Sequence, residues 1–69
     1  MNRQQIEMLK EIYPEGTRIK LLSMDDTQAP PSGIYGTVRS VDDMGTIHVN
    51  WGNGSSLGLI VGRDRFERV

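Results

Sequence analysis

The sequence predicts a mainly β domain, a small curled sheet preceded by one short N-terminal α-helix, and three observations carry that prediction. Ile47, Val49 and Trp51 alternate with Thr46, His48 and Asn50, the period of a strand with one buried and one wet face. Turn-forming clusters, Asp42-Asp43-Met44-Gly45 and Asn53-Gly54, punctuate the chain at short intervals. Only residues 3–12 carry apolar side chains at helical spacing.

Asn2 is placed to cap that helix, with Gln5 three residues on completing a capping box. Ile6, Leu9 and Tyr13, with Met8 and Ile12 beside them, form an apolar stripe, and Arg3, Glu7, Lys10 and Glu11 the polar side. Pro14 ends the helix by biasing Tyr13 out of the helical region. Residues 1–13 are expected to pack as a lid on a β domain of residues 14–69; a stripe this wide also suits a partner-binding or dimerisation helix.

Thr17, Ile19 and Leu21 alternate with Arg18, Lys20 and Leu22, which makes the first strand. Ser23 to Gly33 then has no strand or helix period and is read as a long loop, stiffened by Pro30-Pro31; loops of this length in compact domains tend to be functional. The second strand is Ile34 to Val41, with Gly36 marking a bulge or a close backbone approach. A four-residue turn from Asp42 leads to the third strand, which ends at Trp51. Asn53-Gly54 predicts a two-residue type I′ turn into a fourth strand, Ser56 to Ile60. A tight turn over 61–65 and a last strand from Phe66 to Val69 complete a meander.

Five short strands cannot remain flat without leaving one apolar face wet, and curling into a small barrel removes that exposure. The expected fold is therefore a five-stranded SH3-like barrel with a short N-terminal α-helix. Its predicted core is Ile19, Leu21, Val38, Val41, Ile47, Val49, Leu57, Leu59 and Phe66, with Trp51 partly buried at a strand end.

A chain of 69 residues is one small domain, and one this size buries only about 60% of the surface it exposes when unfolded. Cysteine is absent, so no disulfide or thiolate metal site supports it, and a reducing cytoplasmic setting fits. The opening M-N-R-Q-Q-I-E-M-L-K has no continuous apolar run, so neither a secretory signal nor a membrane span is expected. A net charge of −1 argues against a strongly basic nucleic-acid-binding protein while leaving room for a local basic patch.

The runs Y-P-E-G-T-R-I-K-L, S-M-D-D-T-Q-A-P-P-S-G, G-T-V-x-x-V-D-D-M-G-T-I-H-V-N-W and N-G-S-S-L-G-L, in that order and spacing, resemble the bacterial and phage family called domain of unknown function 4314. The resemblance covers roughly residues 13–69 and implies a small barrel in a bacterial or phage setting, with no established activity. One departure is Gly52, where an Asp is expected between the tryptophan and the Asn-Gly. More distantly, G-T-V followed by I-H-V-N-W-G-N-G-S is similar to the repeat of Mind bomb and HERC2 ubiquitin ligases, which implies by analogy a peptide-binding mode.

The residues offer little to an enzyme. His48 is the only histidine and alternates onto the wet face, with no cysteine to join it. Asp25-Asp26 and Asp42-Asp43 are pairs that suit turn capping better than metal binding, and no cofactor or metal site is expected. Gly52-Asn53-Gly54-Ser55 is followed by neither a lysine nor a helix, unlike a phosphate-binding loop. A non-enzymatic binding module is the expected function. Trp51, Tyr35, Met24, Pro30 and Pro31 are the candidates to line a groove between the long loop and the barrel, gripping a protein or peptide partner, although the alternation of Trp51 with Ile47 and Val49 suits a core position equally well. The alternative is nucleic acid held on a basic wall of Arg18, Lys20, Arg39, Arg63, Arg65 and Arg68. A monomer or weak homodimer is expected.

Overall fold

A computed structural model describes residues 1–69. One helix, α1 (Arg3–Ile12), precedes five strands, β1 (Arg18–Ser23), β2 (Tyr35–Val41), β3 (Thr46–Trp51), β4 (Leu59–Ile60) and β5 (Arg65–Arg68). The expected capping box forms: the Asn2 side chain accepts the Gln5 N–H at 2.8 Å, and Gln5 Oε1 accepts the Asn2 N–H at 3.0 Å. At the other end of α1 the Arg68 guanidinium donates to the Ile12 carbonyl at 2.9 Å, so the last strand satisfies an orphan helix carbonyl.

All pairings within the sheet are antiparallel, in the order β4-β3-β2-β1-β5. Its inner face carries Ile19, Leu21, Val38, Val41, Ile47, Val49, Trp51 and Leu59, all buried, and Leu9 of α1 packs into the same cluster. Leu57 and Phe66, expected in the core, are only half-buried. Phe66 stands edge-on to Tyr13 with ring centroids 5.5 Å apart, which seals the joint between helix and last strand.

The sheet is rolled but not closed. In a flat sheet the two outermost strands would lie about 19 Å apart, four strand spacings. Instead the Asp64 N–H donates to the Ile60 carbonyl at 2.9 Å, which brings the end of β4 within one turn of the start of β5. No ladder joins these edges, so the closed barrel expected from the sequence is not formed by hydrogen bonding. The reason is local: β4 pairs through only two residues, and the Asp64 carboxylate takes the Ile60 N–H. A short edge whose donor is already satisfied offers little to a neighbouring strand.

The hairpin between β3 and β4 also departs from expectation. No residue other than glycine has positive φ, so Asn53 does not adopt the type I′ conformation, and its Oδ1 accepts the Ser55 N–H at 3.0 Å instead. Ile47 pairs with Leu59, and the same register places Ser55 opposite Trp51, whose N–H donates to the Ser55 carbonyl at 3.0 Å. The loop is therefore Gly52–Gly54, three residues, with Gly54 at φ 87°. A two-residue turn would have shifted the register by one and exchanged the faces of Leu59 and Ile60. Leu59, fully buried, won that competition, and Ile60 is 43% exposed.

Candidate functional site

The residues expected to line a peptide groove separate into two sets. Trp51 is 4% exposed, and its indole Nε1 donates to the Leu57 carbonyl at 2.9 Å. That bond satisfies the polar edge of the ring and draws Leu57 out of the ladder, which is why β4 begins only at Leu59. Gly36 lies opposite Trp51 in the β2–β3 pairing, and a Cβ there would come within 2.7 Å of the indole Cε3. The expected close approach at Gly36 is thus real, and the β2 bulge sits elsewhere, between Val38 and Ser40. Of the two positions open to Trp51, core and groove, the side chain takes the core.

Met24 and Pro30 turn the same way. Met24 packs against the core cluster and Pro30 is buried, so the long loop closes the domain more than it opens a groove. Its position is fixed from the β4–β5 corner. Asp64 is buried, with Oδ1 accepting the Asp25 N–H at 3.3 Å and Oδ2 the Ile60 N–H at 2.8 Å, while Arg63 donates to the Asp25 carbonyl at 2.9 Å. Within the loop, Asp26 Oδ1 accepts the Gln28 N–H at 2.8 Å, the turn capping expected of an Asp pair. The depression beside it is lined by Met24, Asp25, Asp26, Thr27 and Arg63, a polar surface. Only Tyr35 and Pro31 of the five candidates are exposed, and Tyr35 stands on the outer face of the sheet, opposite the face that holds Trp51.

The basic residues separate as well. Arg18, Lys20 and Arg39 project from the outer face of β1 and β2, and Arg65 stands at the edge of the same side on β5, whereas Arg63 lies at the β4–β5 corner and Arg68 is spent on α1. On the outer face Lys20 pairs across strands with Tyr35, its Nζ 6.0 Å from the ring centroid, and Arg18 pairs with Thr37, donating to Oγ1 at 2.8 Å.

His48 is half-buried, not simply exposed. Its Nε2 lies 2.8 Å from Asp42 Oδ2, while Asp42 Oδ1 accepts the Met44 N–H at 2.9 Å and the Thr46 N–H at 3.0 Å. The His48 contact first, then the backbone donors, hold the Asp42 carboxyl below the usual carboxylate range. This unit shapes the β2–β3 turn, in which Gly45 has φ 85°. No group of three or more His, Cys, Asp or Glu side chains is arranged to hold a metal ion.

A second surface was half legible. Of the apolar stripe of α1, Ile6 and Leu9 are buried, but Met8 is 54% and Ile12 44% exposed. With Met1, Gln5, Leu9 and Val61 they line a shallow depression of about 240 Å³ in which Gln5 is the only polar residue. The stripe itself gave the helical half of this surface. Nothing in the sequence pointed to Val61, which the rolling of the sheet brings beside the helix.

A family model matches residues 2–69. The chain belongs to the family described as domain of unknown function (DUF4314). The DUF4314 match begins at the helix cap, earlier than the residues that carried the resemblance, so α1 is part of the family unit. No curated protein and no solved structure matches the chain significantly. The likeness to the Mind bomb/HERC2 repeat therefore gains no support. No helix is long and apolar enough to cross a membrane.

Proposed function

We propose that this DUF4314 chain is a non-enzymatic binding module that recognises a protein partner, and that its contact surface is the apolar side of α1 together with Val61. One observation carries the reading: Met1, Met8, Ile12 and Val61 are exposed around a single depression with almost no polar lining. Contiguous apolar surface on a chain of this size is what partner sites look like. A shallow channel beside a helix suits an amphipathic helix or short apolar segment that inserts two or three side chains. The Trp51 and loop region is the weaker candidate, because its apolar side chains already fill the core.

The scaffold for this role is a small barrel of the SH3-like kind, open along the seam between β4 and β5. Its support is the roll that brings Ile60 and Asp64 into contact. A cytoplasmic bacterial or phage setting accords with the resemblance and with the absence of cysteine.

Affinity capture from an extract of the source cell tests the proposal. A defined protein retained by the parent chain and by Arg39→Ala, but lost from the double variant Met8→Gln/Ile12→Gln, supports it. Retention by the double variant, or no retained protein, refutes it.

A further inference from the structure

The nine acidic side chains outnumber the eight basic ones, yet they are not spread evenly over the surface. The three long strands, R-I-K-L-L-S, Y-G-T-V-R-S-V and T-I-H-V-N-W, contain no acid at all. Their outer face presents Arg18, Lys20 and Arg39, with Tyr35, Thr37, Ser40, His48 and Asn50 among them. The only carboxylates at its border are Glu67, paired across from Lys20 on β5, and Asp42, which His48 occupies. The ion pairs of the chain are Lys10–Asp43 and His48–Asp42, so none of the three face cations is neutralised. A net charge of −1 conceals a cationic sheet face.

The geometry points to a binding site for single-stranded nucleic acid on the outer face of β1, β2 and β3, with Arg18, Lys20 and Arg39 on successive phosphates and Tyr35 under a base. Arg18 and Lys20 are two residues apart on one strand, so their stems leave the sheet about 6.7 Å apart, close to the step between phosphates of an extended chain. Arg39 continues the row on β2, where the bulge between Val38 and Ser40 turns both Arg39 and Ser40 outward. Tyr35 is 47% exposed, and Lys20 Nζ at 6.0 Å from its centroid makes aromatic and cation one unit. Stacking platforms flanked by cations accept single strands with little sequence preference. Thr37 and Asn50, paired across β2 and β3, add hydrogen-bonding groups beside the ring.

An acidic peptide would satisfy the cations without using Tyr35, and a duplex would need a helix or ribbon to enter its groove. An anionic membrane would want apolar side chains among the cations, but the exposed apolar residues of the sheet, Leu22 near the end of β1 and Ile60 on the edge strand β4, lie outside the row of Arg18, Lys20 and Arg39. The site is distinct from the apolar surface of α1 and stands or falls independently of it.

Fluorescence anisotropy with a fluorescein-labelled oligothymidylate of about twelve nucleotides tests the assignment. Binding at low salt is expected, with log K falling against log salt at a slope of about −2 for three phosphate contacts, and about −1.4 after Arg18→Ala, Lys20→Ala or Arg39→Ala. Tyr35→Ala should weaken binding about tenfold or more with the slope unchanged. Arg3→Glu, a larger charge change on α1, which packs on the opposite side of the sheet, should leave the slope intact. Trp51 emission reports that each variant is folded. The assignment is overturned by absence of binding at low salt, by affinity indifferent to Tyr35→Ala, by equal sensitivity to Arg3→Glu, or by preference for polyglutamate, a duplex of the same length or phosphatidylserine vesicles.

Discussion

Gly36 and Trp51 face each other across β2 and β3, and the indole occupies the space that a side chain at position 36 would need. A Cβ at that position would lie 2.6 Å from Val49 Cγ1 and 2.7 Å from Trp51 Cε3, distances that require a core group to shift. Gly36→Ala should therefore destabilise the fold by about 1–3 kcal/mol through overpacking. Urea denaturation followed by circular dichroism measures it. In a Trp51→Leu background the same substitution should have a smaller effect, because the ring it strikes is gone. An equal loss in both backgrounds would mean that the strain comes from the Val49 contact and not from the indole.

Asp64 gives a second expectation, since one carboxylate serves two amides from distant parts of the chain, Asp25 and Ile60. Asp64→Ala leaves both donors without their partner in a region that is partly buried, and about 1–3 kcal/mol should be lost. Hydrogen exchange gives the sharper reading. The Ile60 amide should exchange much faster in the variant while the Val38 amide, which donates to Thr17, responds only through the global change in stability. Uniform acceleration of all amides would show that Asp64 does not act locally.

How much of this was legible in the sequence varied with the range of the interaction. The helix and its capping box, the β2–β3 turn and the strand faces were readable because period and turn chemistry act over a few residues. The register of β4 was not. Asn53-Gly54 favours a two-residue turn locally, but burying Leu59 opposite Ile47 decided the outcome from outside the turn. The burial of three of the groove candidates was hidden for a similar reason. Trp51, Met24 and Pro30 are apolar, and a chain of this length has too little core to leave them on a surface. Tyr35 and the cations of β1 and β2 were individually visible, but that they share a face without acids follows only from pairing β1 with β2 and β2 with β3. Net charge alone argued the other way.

The Asp42–His48 unit predicts a particular acid sensitivity. The folded-state pKa of Asp42 is depressed, chiefly by His48, so the unfolded chain binds its proton at higher pH than the folded one. Between those two values the unfolded state carries more protons, and stability must fall as pH falls. The contribution is whole above about pH 5 and is lost as pH drops through the ordinary aspartate value of about 3.9 toward the depressed one. Asp42→Asn removes that titration. Urea midpoints from Trp51 fluorescence at several pH values should decline less steeply with acid in the variant than in the parent, and parallel curves would show that other carboxylates govern the acid transition.

The helix offers a contrast within two turns. Leu9 is buried in the core cluster, whereas Met8 and Ile12 stand exposed beside Val61. Leu9→Ala should cost about 2–5 kcal/mol, enough to unfold much of a chain this small. Met8→Gln and Ile12→Gln replace apolar ends by an amide, but on surface that the fold does not use, and glutamine is a good helix former. Each should alter stability by no more than about 0.5 kcal/mol in chemical denaturation. If the two glutamine variants were instead as destabilised as Leu9→Ala, the depression would be part of the folded core, and the proposed partner surface would not exist. If they hold their stability and lose the partner, apolar groups on α1 are kept in water for binding and not for folding.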